Sequence, residues 1–368
     1  TMLSGPVVVY AHDRTLDRLS PRILARIVSF RPAGTRYVVG FDRTKLTAVL
    51  RPLVKPWRKP AQDARFDVGS SSVNVIPSQP GYDLNDQEAL AAVTAAAYSS
   101  TDRSAKLNLR TIPAALTTKQ ANALGIRRQL ATFTTQMGTS SSNRIHNVHL
   151  MADFIDGTII RPGELFSFND VVGPRTAARG FLEGQMIVGS LVLPAIGGGV
   201  CQTATTLFND AFEVGLPILE RTNHNLYLSH YPLGRDATVS WGGPDLKFRN
   251  DLKHGILIKT SYTDSTLTFT FYGTPQGRRV VSSTGPQVNY RSPTMSYAVD
   301  PSAATGSVSV VNGSGQQGFD VTVSRTVYEN GRVLRKDSFA SHYIPDGPTT
   351  VYGPGRTPPG PYIVIPPH

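Results

Sequence analysis

Apolar positions fall into short runs and stripes that predict three successive parts. Over residues 1 to about 125, strand-like runs alternate with helical spacings. Val7-Val8-Val9-Tyr10 and Tyr37-Val38-Val39-Gly40-Phe41 read as strands. Ser20-Pro21 opens a helix carrying Ile23, Leu24, Ile27 and Val28. Residues 44–54 and 83–98 read as two further helices, the second opened by Asp83 or Asn85. Residues 64–68 and 73–76 read as a hairpin, 105–112 as one alternating strand, and 117–124 as a short helix stopped by Gly125. This stretch puts no nucleophile beside a base.

The second part, about 126 to 275, holds the two clearest helices. Ser140-Ser141-Ser142 leads into a helix over 143–155 whose face is Ile145, Val148, Ala152 and Ile155, with Gly157 as its stop. Ala204, Leu207, Phe208, Ala211 and Phe212 form the stripe of another, closed by Gly215 and Pro217. Between them lie strand-like 158–160, a Pro162-Gly163 turn, 165–169, and the runs 186–188 and 191–193 around a Gly189-Ser190 turn. Residues 227–231, 248–251, 256–259 and 266–272 read as strands. The two helices would pack on an antiparallel sheet. Beyond residue 276 the chain is polar and β-like: 307–311, 320–327 and 332–339 alternate, with Glu329-Asn330-Gly331 as a hairpin turn. The proline-rich tail from Gly353 is expected to be extended or mobile. The expected class is α+β and multidomain: an α/β module over 1–125, a sheet-and-helix domain over 126–275 carrying the cysteine, and a β module over 276–368.

The chemistry gathers at Gly197-Gly198-Gly199-Val200-Cys201-Gln202, which holds the one cysteine in 368 residues. The periodicity places Cys201 at a helix N-terminus, where unpaired N–H groups and the helix dipole favour a thiolate. Glycines there allow positive φ and close approach by another backbone. The backbone around Gly199, Cys201 and Gln202 is then a candidate oxyanion hole. A cysteine nucleophile needs a base, and eight histidines are available. His224 stands between Asn223 and Asn225; His230 follows six residues on, an even spacing that in a strand shares one face. Asp236 is placed to orient an imidazole, as the third member of a triad does. Against this stand the plain readings: a lone cysteine is most often a small buried hydrophobe, and each histidine a packing or surface residue. His146 and His149, three apart on a predicted helix, raise a metal reading with His224, His230 or Asp236. No HExxH accompanies them and a metal leaves the glycines unexplained, so no metal and no cofactor is expected.

Charge narrows the partners. With 37 basic and 26 acidic residues the net charge is +11, which suits anionic polymers. The basic residues are scattered without aromatic interleaving, so no nucleic-acid module stands out. A lone cysteine excludes an internal disulfide. No run of 18 apolar residues would span a membrane, and the chain opens straight into a strand-like run without a signal-peptide pattern. It reads as part of a longer protein, with any membrane anchor in a segment outside it.

Residues 143–273 resemble the VanW domain family. The resemblance rests on Asn143-Arg144-Ile145-His146-Asn147, on Arg161-Pro162-Gly163-Glu164-Leu165-Phe166-Ser167-Phe168-Asn169, and on Val172-Gly173-Pro174-Arg175-Thr176. The Gly197–Gln202 core, Thr205-Thr206-Leu207-Phe208-Asn209, Glu220-Arg221 with His224, and Gly234-Arg235-Asp236-Ala237-Thr238-Val239 complete it. The first part resembles the peptidoglycan-binding domain that often precedes VanW domains, and the last resembles the five-glycine wall-associated β module. The resemblance implies an extracytoplasmic L,D-transpeptidase that cross-links third-position residues of peptidoglycan stem peptides. It puts the nucleophile on Cys201 and matches His224 to the motif histidine. The Gly-Gly-Val-Cys context differs from the Ser-His-Gly-Cys context of the better-known L,D-transpeptidases. Arg144, Arg175 and Arg221 are candidates for binding stem carboxylates, and peptidoglycan glycan and anionic wall polymers are the further expected partners. Two alternatives use the same sequence: a carboxypeptidase or endopeptidase with water as acceptor, and a non-catalytic wall-binding scaffold.

Overall fold

A computed structural model describes residues 2–69, 72–138, 140–188 and 191–365. It is an α+β, multidomain chain with several small sheets. The expected Gly189-Ser190 turn lies outside the described residues. Two compact units form: residues 1–67 with 74–123, and residues 68–73 with 124–368. The parts that the sequence separates at residue 275 therefore share one unit.

In the first unit, Val7–Ala11 pairs antiparallel with Arg14–Leu19 and parallel with Ser104–Lys106. The helix Pro21–Ile27 is capped by the Ser20 hydroxyl, as its Ser-Pro start predicts, but it ends where Val28–Ala33 becomes a strand paired with Arg36–Phe41. The helix Asp86–Tyr98 starts from Asn85, whose side chain accepts from the Glu88 N–H. The stretch read as one strand over 105–112 is two: Leu109–Ile112 leaves for a different partner, Gly81–Leu84.

In the second unit a four-stranded antiparallel sheet runs Arg128–Gln136, Thr266–Gly273, Ile256–Tyr262, Ile159–Ile160. Thr266–Gly273 alternates strictly, with Leu267, Phe269 and Phe271 inward. On that face sit two helices, Ser142–Ile155 and Val200–Val214. Their stripes, Val148, Ala152 and Ile155 from one and Ala204, Leu207, Phe208 and Phe212 from the other, are fully buried in one core. The C-terminal residues join that same core: Val323 is buried in it, and Val280 and Phe339 pack against it. Gly318–Glu329 and Arg332–Tyr343 form a long hairpin turned by Asn330 (φ 51°) and Gly331 (φ 80°), the left-handed pair that an Asn-Gly turn requires. Within the tail, expected to be extended or mobile, Tyr362–Val364 is an extended strand paired in parallel with Ser296–Val299.

Candidate active site

The cysteine helix begins where the glycines permit it to. Gly199 is its N-cap at φ 108°, a conformation that side-chain-bearing residues avoid. A Cβ on Gly198 would lie 2.3 Å from the backbone N of Gln185, so this residue must be glycine for the loop to pass the hairpin strand Glu183–Val188. The buried Asn147 fixes the crossing: its amide donates to Gly198 O (3.0 Å) and Leu182 O (2.8 Å) and accepts from Leu182 N–H (2.8 Å).

Cys201 stands in the first turn of this helix, half-buried, on the wall of a cleft of about 1020 Å³. The hairpin strand Glu183–Val188 and Arg144 line it, as do His224, His230 and Tyr231. Below Cys201 the same helix face continues as Thr205 and Asn209, both fully buried. These two polar side chains bind the Arg235–Val239 segment. Thr205 Oγ1 accepts from Ala237 N–H (3.0 Å) and donates to Ala237 O (3.1 Å), and Asn209 exchanges hydrogen bonds with Arg235 O (2.9 Å) and Arg235 Nε (2.8 Å). The helix that carries the cysteine thus also holds the segment that carries Asp236. Sequence reading had no role for Thr205 or Asn209; two polar residues on the cysteine's own face at i+4 and i+8 are the signal that was available.

Three predicted residues come together. His224 Nδ1 donates to Asp236 Oδ2 at 2.7 Å, and the His224 backbone N–H donates to the same oxygen at 2.7 Å. With Nδ1 so engaged, the other ring nitrogen is left for Cys201, which lines the same cleft and favours the charged imidazole. Asp236 Oδ1 accepts from Tyr343 Oη (2.7 Å) and Arg221 Nη2 (3.0 Å). Tyr231 stacks on the imidazole, centroids 5.7 Å apart. Burial raises the Cys201 thiol, but the hydrogen bond and charge of His224, then bonds from Val239 and Thr238, bring its pKa below the ordinary value. Burial would lower the imidazole; hydrogen bonding to Asp236 and to Cys201 overrides it and raises His224 to about 9. Asp236, pushed up by burial, is drawn down to about 2 by His224 and then by Arg221 and Tyr343. The three directions agree on a thiolate–imidazolium pair backed by a carboxylate.

The remaining candidates divide. Gly199, Arg144 and His230 border the cleft. His230 is not in a strand, so the shared-face argument fails: residues 223–231 form turns and coil, and His230 reaches the cleft by packing on Tyr231 (4.1 Å). Burial, with the charges of Arg144 and His224, lowers its pKa, so it stays neutral beside a charged neighbour. Gln202 and Arg221 differ from expectation. The Gln202 side chain is buried and fully paired, accepting from Arg144 and donating to Thr135 Oγ1 (3.0 Å) and Gln136 O (3.1 Å). Its backbone N–H bonds Gly199 O (3.1 Å). Among the described residues, the Val200 and Cys201 N–H groups of this turn meet no hydrogen-bond partner. Arg221, with its side chain 4% exposed, does not line the cleft: it donates to Asp236 O (2.6 Å), Gly234 O (3.1 Å) and Ser341 Oγ (2.9 Å). Arg175 does border the cleft, anchored by Gly173 O at 3.0 Å. His146 and His149 are held apart, bonding Gly180 O (2.8 Å) and Thr263 O (3.1 Å). Among the described residues no three His, Cys, Asp or Glu side chains converge as a metal site would need.

Comparison with known proteins fits this division of the chain. The family model described as "VanW like protein" matches residues 143–272, and that described as "Putative peptidoglycan binding domain" matches residues 15–105. The uncharacterized protein YoaR of Bacillus subtilis (strain 168) is 34% identical over 218 residues, which are 59% of this chain and 70% of that one. The vancomycin B-type resistance protein VanW of Enterococcus faecalis (strain ATCC 700802 / V583) is 33% identical over 116 residues, 30% of this chain and 42% of that one. A solved IgA1 protease G5 domain aligns over its whole length with 23% of this chain, at 16% identity and a TM-score of 0.11. By its family-model match and its identity to these relatives, this chain belongs to the VanW-like family.

Proposed function

We propose that this chain is a cell-wall acyltransferase, a peptidoglycan L,D-transpeptidase that works through a Cys201 thioester. The observation that carries this reading is that Cys201, at a helix N-terminus, and His224, held at 2.7 Å by Asp236, line one open cleft. The peptidoglycan-binding family match over residues 15–105 supports the substrate class. So does the size of the cleft, at the top of the range of about 300–1,000 Å³ typical of small-ligand pockets.

The steps follow from the proton inventory. The thiolate attacks the carbonyl of the third stem residue, forming the S–C bond. The oxyanion faces the unpaired Val200 and Cys201 N–H groups, each such donor typically worth about 2.7–4 kcal/mol. The C–N bond to the terminal D-alanine breaks as His224 gives that nitrogen its proton. The side-chain amine of a second stem then attacks the thioester carbonyl. His224 takes the proton released from that nitrogen, and the thiolate leaves. Water in place of the amine gives the hydrolytic alternative with the same residues. Arg144 and Arg175 on the cleft wall are the side chains suited to stem carboxylates, and the neutral His230 to a substrate amide or amine. Arg221 and Gln202 act behind this surface.

Incubation with disaccharide tetrapeptides tests the proposal. Cross-linked dimers released with D-alanine support transfer; trimmed monomers alone support hydrolysis; intact substrate with an unmodified Cys201 supports the scaffold reading and overturns both.

A further inference from the structure

We infer that Tyr343, from the C-terminal β hairpin, is a positioning residue of the triad, so that this hairpin belongs to the catalytic machinery as well as to any wall contact. The inference rests on the triad reading given above.

The segment from Arg221 to Leu233 carries His224 yet has almost no secondary structure of its own; one bridge, Thr222 to Thr238, ties it to the Asp236 segment. Its order comes from the end of the strand Arg332–Tyr343. Ile344 N–H donates to Asn225 O (2.8 Å), Asn223 Nδ2 donates to His342 O (2.8 Å), and Arg221 Nη1 donates to Ser341 Oγ (2.9 Å). The Tyr343 ring is 1% exposed, packed edge-on to Tyr227 (5.4 Å) and tilted against Phe319 (5.2 Å). From that fixed position its hydroxyl meets Asp236 Oδ1 at 2.7 Å.

The carboxylate is therefore shared by side. Oδ1 takes donors from Tyr343 and Arg221, which leaves Oδ2 turned to both N–H groups of His224. A carboxylate held by only one side rotates about its Cα–Cβ and Cβ–Cγ bonds, and the imidazole it orients follows. Tyr343 does not border the cleft, so substrate does not touch it. Its effect must pass through Asp236 and His224 to the sulfur.

The test is the pH dependence of Cys201 alkylation by iodoacetamide in the full chain, with steady-state kinetics beside it. Tyr343→Phe keeps the ring and removes the one donor. It is expected to move the acid limb of alkylation to higher pH by about half a unit to one unit. It should also lower kcat about tenfold with KM unchanged. Ser341→Ala, which removes a hydroxyl acting on both Arg221 and Tyr343, should shift the same limb by less. If Tyr343→Phe does not fold, Ser341→Ala decides. An alkylation profile unchanged in the folded variant overturns the inference. That outcome is distinct from failure of the catalytic reading, which would appear as an unshifted thiol in the wild type.

Discussion

The two ends of the cysteine helix are treated in opposite ways. At its C-terminal end several carbonyls are held by arginines. Arg325, 1% exposed, donates to Phe212 O (2.9 Å) and Leu216 O (2.8 Å), and Arg335 and Arg278 donate to Gly215 O. Asp337 holds Arg325 at 2.6 Å and Arg335 at 3.0 Å. Three guanidinium groups thus face the negative end of the helix dipole. At the N-terminal end no side chain caps the helix, and among the described residues the Val200 and Cys201 N–H groups meet no partner. An unsatisfied helix end normally costs stability. Here the satisfied end anchors the helix, and the open end is free to act on charge that develops during a reaction.

The largest effect should come from separating the dipole from the imidazole. His224→Ala leaves the open helix end intact but removes the strongest influences that lower the thiol pKa. Burial, the largest influence, is then opposed only by Val239 and Thr238, so alkylation of Cys201 should titrate above the ordinary value of about 8.5. Acyl-enzyme formation should fall by about 10⁴–10⁶-fold, as triad losses do. A thiol still titrating low would mean that the helix end suffices without a base.

Next comes the anchored end. Arg325→Met should lower unfolding free energy by about 3 kcal/mol in urea titration, because a buried guanidinium and two carbonyl partners lose each other. The alkylation pH profile of the folded fraction should not move. Gly199→Ala should do the reverse. Its φ of 108° and the contacts that a Cβ would make with Arg144 Cγ and Val148 Cγ2, both 3.1 Å, set a cost of about 1–3 kcal/mol. Its larger signature is slower alkylation at every pH, since the displaced turn carries the sulfur.

The smallest effect is on stability against pH. Asp236 has a folded pKa of about 2, below the unfolded value of about 3.9. Its contribution is therefore fully present above pH 4 and is lost as pH falls through 2. Urea unfolding should show that decline in the wild type and a shallower one in Asp236→Asn.

The contrast between the ends also marks what the sequence makes legible. The open end is local: three glycines, one cysteine and an apolar stripe lie within a few turns, and Gly215 at φ 77° stops the helix where expected. The alternation of Thr266–Gly273 and the Asn330-Gly331 turn are equally local. Arg128–Gln136 gives no signal because Thr132, Thr134 and Thr135 break up its few large apolar residues, and its pairing partner lies at least 130 residues away. The run 227–231 looked like a strand because Leu228, Tyr227 and Tyr231 are apolar, but Tyr227 packs on Phe319 and Tyr231 on His224. Arg221 could not be told from a ligand-binding arginine, since Ser341, which occupies it, is 120 residues away. Cys201 and His224 were readable from neighbours; Tyr343 and Arg325 required the fold.

The most direct measurement of the central claim is intact-protein mass spectrometry after mixing with a stem tetrapeptide, followed by peptide mapping. The account predicts an adduct on Cys201 equal to the donor minus D-alanine, absent from Cys201→Ala and from His224→Ala at neutral pH. An unmodified Cys201 in folded protein that binds the same tetrapeptide would contradict it.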